Sequence, residues 1–361
     1  MDATKGRVNC EKKTLANHAG VAGPLVVSQR GCAWASQANP QAALVKFVSQ
    51  KLTGKYGIYT NYLAQAGSDE HVATGHQYLS ESAGYYLQYL AQTKQNRKFR
   101  AFYAQTKRTF YRQQVFLYRF DPKQPGKYRV NATIDDLRII AALMTYDQRN
   151  HTTKYQKEIK TLYQGLRRQI QQDGLLTDMY SLTERTHNQE VTLCYQNLAV
   201  LKKLDPQSYR QALRVVQGGR IGAHGPLYYQ SYRLNTKKYA QSQLVTPQLL
   251  ITFLHLAEVG KLPPASLHWL KQQVTKQTLY NAYTTTGRVK DRNTSAANYA
   301  LAMLIGQRVG DQTLTNTAKQ ALLTMQVTDA HSAIYGSFGD PQTKQVYSFN
   351  ELTALVALNQ P

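Results

Sequence analysis

The sequence predicts an all-α protein, an (α/α)6 barrel of six helical hairpins with short β-like segments on one rim. Three observations support this. A Tyr-rich segment, a polar turn and an apolar helix recur six times, with a period of about 50–60 residues, the mark of a repeat architecture. A second, amphipathic helix separates each apolar helix from the next Tyr segment. Of the 361 residues, roughly 320 belong to these six units, which suits closure better than an open helical solenoid.

The first copy is Gly57-Ile58-Tyr59-Thr60-Asn61-Tyr62 with the helix 82–90. The second is Val115-Phe116-Leu117-Tyr118-Arg119-Phe120 with the helix 135–146, and the third runs from Gly174 to Tyr180 with the helix 191–201. Pro226-Leu227-Tyr228-Tyr229 opens the fourth, before the helix 246–259. Leu279 to Tyr283 opens the fifth, before 295–306, and Ala333 to Phe338 opens the sixth, before 351–358. The segments 154–171, 264–278 and 312–326 read as outer helices, and in the first of these Ile159, Leu162, Leu166 and Ile170 recur at three- and four-residue steps. Such a barrel collects the starts of all six inner helices, with their Tyr segments, on one rim, where function belongs.

Composition narrows the partners. The chain has 44 Lys+Arg against 21 Asp+Glu, a formal net charge of +23, and is 42% hydrophobic, so it can bury a core. No apolar run reaches the roughly 20 residues that span a bilayer. The basic residues are dispersed, with no run of five and no nucleic-acid module, so nucleic acid is not the expected partner. An anionic glycan or cell wall suits the charge better. Tyr dominates the aromatics, 26 against 9 Phe and 2 Trp, and its flat face and hydroxyl suit sugars, nucleic-acid bases and wet protein surfaces alike. Cys10, Cys32 and Cys194 form neither a disulfide framework nor a zinc site, and no nucleotide-binding motif occurs. No metal or other cofactor is expected. Residues 1–40 read as a flexible or poorly packed segment carrying only a faint outline of a secretory signal. Residues 41–361 form the barrel domain, and a monomer is expected.

Carboxylates are scarce, and several fall near inner-helix starts: Glu81, Asp135, Asp136, Asp178, Glu184, Glu190, Asp291 and Glu351. Glycoside hydrolysis needs a proton for the leaving oxygen and a second carboxylate for water or covalent attack. Glu81 and Asp136, from adjacent units, are the first candidates for facing one another across a cleft. Both also suit helix starts as caps and dipole partners, and a helix N-terminus lowers a carboxyl pKa. Glu81 therefore needs burial or a neighbouring carboxylate to stay protonated.

Leu79-Ser80-Glu81-Ser82-Ala83-Gly84-Tyr85 resembles the Ser-Glu-x-x-Gly-Tyr segment of glycoside hydrolase family 8, the endoglucanase and exopolysaccharide-hydrolase group. Asn131 to Ile139 resembles that family's Ala-Thr-Asp-x-Asp-x-Asp-Ile helix start, and similarity continues in order through residues 42–358, nearest to its small Gram-positive branch. The resemblance implies the same (α/α)6 barrel. It implies hydrolysis of a β-linked polysaccharide, a β-glucan or bacterial exopolysaccharide, by acid/base catalysis, expected to be inverting. Glu81 matches the general acid, Asp136 an Asp that holds the sugar, and Tyr195 a cleft aromatic. Tyr85, Asp135, Tyr180, Tyr229 and Tyr232 complete the expected substrate-binding set. An extracellular or cell-surface location follows from the resemblance, while a cytoplasmic one stays open.

The chain also departs from the pattern. Ile134 and Arg138 replace the first and last Asp of the second motif, and Asn350 stands where an Asp is common. The stretch 229–248, where the inverting base belongs, contains no Asp or Glu; Gln230, Ser242 or Gln248 occupies the place. Either Glu190 or Asp178 of the third unit serves as base, or the protein binds surface glycan without cutting it efficiently. A basic nucleic-acid or wall-polymer binding protein is the further alternative.

Overall fold

The computed structural model describes residues 39–65, 73 and 75–360. The expectation for the N-terminal segment therefore lies outside the described residues up to residue 38. Asn39 and Pro40 already belong to the fold: the Asn39 side chain accepts from the Gln41 amide at 3.0 Å and caps the first helix, with Pro40 at its first position.

Twelve α-helices lie among the described residues. The chain enters through α1 (Pro40–Phe47). Five hairpins follow: α2 (Ser80–Gln92) with α3 (Asn96–Phe110), α4 (Thr133–Arg149) with α5 (Gln156–Ile170), α6 (Leu198–Leu204) with α7 (Pro206–Gly218), α8 (Thr246–Glu258) with α9 (Pro264–Thr275), and α10 (Ala296–Val309) with α11 (Gln312–Thr324). The last helix, α12 (Ser348–Leu358), packs on α1, so the two ends of the described chain form the sixth pair. Around the inner ring α2, α4, α6, α8, α10 and α12 each contact the next, and α12 returns to α2. The barrel is closed.

The inner and outer helices differ for the reason the periodicity predicts. Eleven consecutive residues of α10, Ala296 to Gly306, are buried, as a helix packed on all sides requires. In α5 burial is confined to one stripe that includes Ile159, Leu162, Leu166 and Ile170. Each such Leu or Ile contributes about 1.5–3 kcal/mol by leaving water.

The rim is stitched by one repeated hydrogen bond. The first amide of an inner helix has no intrahelical acceptor, and here it donates to the β-like segment of the next unit. Ser80 N donates to Tyr118 O at 3.0 Å, Thr133 N to Asp178 O at 2.8 Å, and Thr246 N to Asn281 O at 2.9 Å. Ser348 N donates to Thr60 O at 3.0 Å, which closes the ring. Hydroxyls at the same positions reinforce two of the junctions: Thr133 Oγ1 donates to Thr177 O at 2.6 Å and Thr246 Oγ1 to Tyr280 O at 2.5 Å.

Unit three departs from the predicted helix over 191–201. Glu190–Thr192 is a strand paired with Ser231–Arg233, Leu193–Tyr195 is a 3-10 turn, and α6 starts only at Leu198. Val191 and Thr192 are β-branched and favour the strand. The helix start is set by the Asn197 side chain, which accepts from Val200 N at 3.1 Å. The Tyr pattern also divides: Tyr78, Tyr228 and Tyr283 are buried core residues, whereas Tyr59, Tyr118 and Tyr180 keep partial exposure. Trp269 stacks edge-on to Phe253 and Tyr283, with ring centroids 6.3 Å and 5.4 Å away. No helix of the described residues is long and apolar enough to cross a membrane.

Candidate active site

Glu81 lies in the first turn of α2 and Asp135 in the first turn of the neighbouring α4. Asp135 is buried and its carboxylate is surrounded by donors. One oxygen accepts the Ser80 hydroxyl at 2.8 Å and the other accepts Arg138 Nη1 at 2.5 Å, and the Glu81 amide donates to it as well. Burial raises the Asp135 pKa; Arg138, Ser80 and the Glu81 amide oppose that shift.

Among the described residues, no hydrogen bond reaches the Glu81 carboxyl. Burial raises its pKa to about 7; the Arg138 charge opposes the rise, and the Asp135 charge adds to it. The donors around Asp135 favour its anion and Glu81 has none, so the geometry favours the proton on Glu81. This meets the requirement for a protonated acid that the helix position alone did not.

The geometry explains the Ser-Glu-x-x-Gly-Tyr spacing. Ser80 bonds Asp135. A Cβ on Gly84 would lie 2.9 Å from Arg138 Cδ and Cγ, so glycine makes room for the Arg138 chain. Tyr85, one residue on, places its ring 4.3 Å from the guanidinium carbon. Burial works against the Arg138 cation, but Tyr85, Asp135 and Glu81 outweigh it and raise its pKa further. Tyr85 is thus a buried partner of Arg138, only 8% exposed, and does not offer a free face for sugar.

Asp136 points elsewhere. One oxygen accepts from Phe116 N and the other from Asn131 Nδ2, both at 2.8 Å, and the residue is 2% exposed. Glu351 repeats this latch in the sixth unit, accepting from Phe338 N at 2.8 Å from the same turn of α12. Burial raises both pKa values to about 8. Asp136 ties its Tyr segment to its helix, and Asp135 is the carboxylate beside Glu81.

Asp178 accepts from both the amide and the hydroxyl of Thr192, each at 2.6 Å. Burial raises its pKa to about 7, against those two bonds, and the charge of neighbouring Glu190 adds to the shift. Glu190 itself faces the fourth unit, where its carboxylate accepts from Ser231 Oγ at 2.5 Å. Cys194 and Tyr195 tie the cluster together, since the charges of both Asp178 and Glu81 act on each of them. Cys194 is buried, and burial raises its thiol pKa and the Tyr195 hydroxyl pKa. Glu81, Asp135, Asp178, Arg138 and Tyr195 thus form one electrostatic neighbourhood at the rim.

Tyr229 and Tyr232 are brought together by Tyr239, a residue the sequence did not single out. Tyr229 stacks on it at 5.7 Å and 16°, and Tyr232 lies 5.1 Å away. Tyr180 is held by its amide, which donates to Asn131 Oδ1 at 2.6 Å. Tyr347, immediately before α12, is 45% exposed and was missed because it falls outside the repeated segment. Gln230 and Gln248, which stand where the resemblance places a base, lie 2.8 Å apart, amide to amide. The Asn350 side chain accepts from Ala297 N at 3.2 Å. Among the described residues, no group of three or more His, Cys, Asp or Glu side chains could hold a metal ion.

Behind the site the inner ring encloses a lumen of about 620 Å³, lined by residues of all six inner helices, Gln88, Thr145, Val200 and Gln307 among them. Arg138 and Tyr85 line it; Glu81, Asp135 and Asp178 do not.

No protein-family model and no curated protein matches the chain. Solved structures do. An alpha-amylase from Clostridium perfringens superposes with a TM-score of 0.82 at 27% identity, over 89% of this chain and 97% of that one. Endoglucanase Cel10 from Klebsiella pneumoniae, a family 8 glycosyl hydrolase, superposes with a TM-score of 0.61 at 12% identity, over 88% and 98%. The chain has the family 8 glycosidase fold. PssZ from Listeria monocytogenes shares that fold with a TM-score of 0.70 at 18% identity, over 90% of this chain and 97% of that one.

Proposed function

We propose that this protein is a glycosidase that hydrolyses a polysaccharide at the rim. Glu81 donates the proton to the leaving glycosidic oxygen. Asp135, fixed by Ser80 and Arg138, positions the sugar at the cleavage point, the role that the sequence resemblance alone would give to Asp136. Asp178 is the better candidate for base. Its anion is supported by two Thr192 donors while lone pairs remain for a water, whereas Glu190 is turned onto Ser231. Tyr195, with the Tyr229–Tyr232–Tyr239 group farther along, supplies aromatic faces for sugar rings.

The observation that carries this proposal is the contrast between Glu81, half-buried and without a donor, and Asp135, buried and surrounded by donors. Environments that separate two neighbouring carboxyls in this way define acid and partner.

The named activities of structural neighbours set the substrate panel: an endo-β-1,4-glucanase, a xylanase and an alpha-amylase. A β-linked polysaccharide is proposed from the sequence resemblance, and an α-linked glucan is the second candidate because the amylase shares 27% identity. The test is reducing-end release from β-glucan, xylan, bacterial exopolysaccharide and starch by the wild type and by Glu81→Gln. Loss of release in the variant supports the assignment, and equal release rejects it. Binding without release by the wild type would favour a glycan-binding role, for which the Gln230–Gln248 pair is the structural argument, since an amide cannot deprotonate water.

A further inference from the structure

The fold gathers one group of the basic residues that look dispersed along the sequence. Outer helices α3, α5 and α7 together carry eleven Lys and Arg and a single acid, Glu158, whereas α1, α9 and α11 carry only Lys46, Lys271 and Lys319. The basic helices are neighbours. Lys107 Nζ meets Glu158 at 2.6 Å between α3 and α5, and Arg167 Nε lies 3.4 Å from Asp205, the N-cap of α7.

The two acids along this wall are also occupied. The Tyr103 hydroxyl donates to Glu158 at 2.7 Å as well, and Asp205 accepts from Ser208 N and the Tyr163 hydroxyl, both at 3.1 Å. Outward stand Arg97, Lys98, Arg100 and Arg108 on α3, and Lys157, Lys160, Arg167 and Arg168 on α5, all exposed. The aromatic rings of the same helices, Phe99, Phe102, Tyr103 and Tyr163, are buried inward.

We propose that the outer wall formed by α3, α5 and α7 binds an acidic polysaccharide. Exposed cations on one continuous face attract a regularly charged chain, and Arg presents a fork that matches carboxylates. At 0.15 M salt the Debye length is about 8 Å, so such an attraction acts locally and does not reflect net charge alone. Nucleic-acid binders of single strands add aromatic stacking platforms, and on α3 and α5 the rings face the core. The choice of a polysaccharide over other polyanions rests on reading the rim as a glycosidase site; the charge pattern does not.

The experiment measures binding of the full chain to a polyuronate (alginate) at low and at 0.3 M salt, with a DNA duplex of similar charge as comparison. The wild type is expected to bind alginate and to lose it as salt rises. Arg97→Glu/Arg108→Glu/Lys157→Glu/Lys160→Glu, all at exposed positions, is expected to weaken binding at least about tenfold. Lys46→Glu/Lys261→Glu/Lys276→Glu/Lys319→Glu makes the same change in net charge on the other side of the wall and is expected to stay within about twofold. Equal weakening by the two variants, absence of alginate binding by the wild type, or tighter binding of DNA would overturn the proposal. The readout is retention, not cleavage, so failure of Glu81→Gln to change hydrolysis would leave this result standing.

Discussion

Asp135 joins two inner helices: one of its oxygens accepts the Ser80 hydroxyl of α2 at 2.8 Å, while the other holds Arg138 of its own helix. Glu81, next to Ser80, has its pKa raised by burial and by the Asp135 charge and lowered by Arg138. Asp135→Asn removes the like charge and frees Arg138 for Glu81, and both changes lower the Glu81 pKa. The alkaline limb of kcat/KM against pH should therefore move to lower pH in this variant. Arg138→Gln should move it to higher pH, at a stability cost of about 3–5 kcal/mol for the buried charge left behind.

Asp135 and Asp136 are adjacent in sequence but differ in role, and conservative amides separate them. Asp136→Asn keeps an acceptor for Phe116 N but turns a donor towards Asn131 Nδ2, so it should cost stability while most of the activity survives. Asp135→Asn should lose about 100-fold or more, the scale of a removed transition-state contact. Parallel kcat/KM measurements on the substrate that the wild type cuts would check this.

Glu351 gives stability a pH dependence of definite sign. Its carboxyl is fully buried, with one oxygen on Phe338 N and the other unpartnered, and burial raises its pKa from 4.5 to about 8. A folded pKa above the unfolded one means that the folded state binds more protons between those values. Its contribution is therefore fully present below pH 4.5 and is lost as pH rises towards 8, by a few kcal/mol. Urea midpoints should fall from pH 5 to pH 8 in the wild type. In Glu351→Gln, which keeps the acceptor for Phe338 N, the slope should be shallower even if the whole curve is lower.

Gly84→Ala should act on Arg138 without touching a carboxylate. The added Cβ meets the Arg138 chain at 2.9 Å, and overpacking costs about 1–3 kcal/mol. Thermal unfolding should show that loss, together with a displaced alkaline limb in the pH profile. A variant with wild-type stability and pH profile would mean that Arg138 has room to spare.

Much of the fold was legible because its signals are periodic. The stripe of Ile159, Leu162, Leu166 and Ile170 and the six Tyr segments needed only counting. Closure by α1 and α12 was less visible, since no local pattern tells residue 40 that its partner is residue 348. Glu81 could be read from its motif, but the separation of Asp135 from Asp136 could not. Both sit in one helix turn, and only the packing of Ser80, Arg138, Phe116 and Asn131 assigns a different set of donors to each. Tyr85 and Tyr228 misled for a related reason: Tyr serves core and rim alike, and composition does not say which face the ring presents.

The central claim is that Glu81 protonates the leaving group, and leaving-group dependence tests it most directly. A polysaccharide leaves as a poor, basic alkoxide and needs that proton; a dinitrophenyl glycoside of the same sugar leaves without it. Glu81→Gln should lower kcat/KM on the polysaccharide by about 100–10,000-fold and leave the activated glycoside close to wild type. An equal loss on both substrates, or no loss on either, would contradict the assignment.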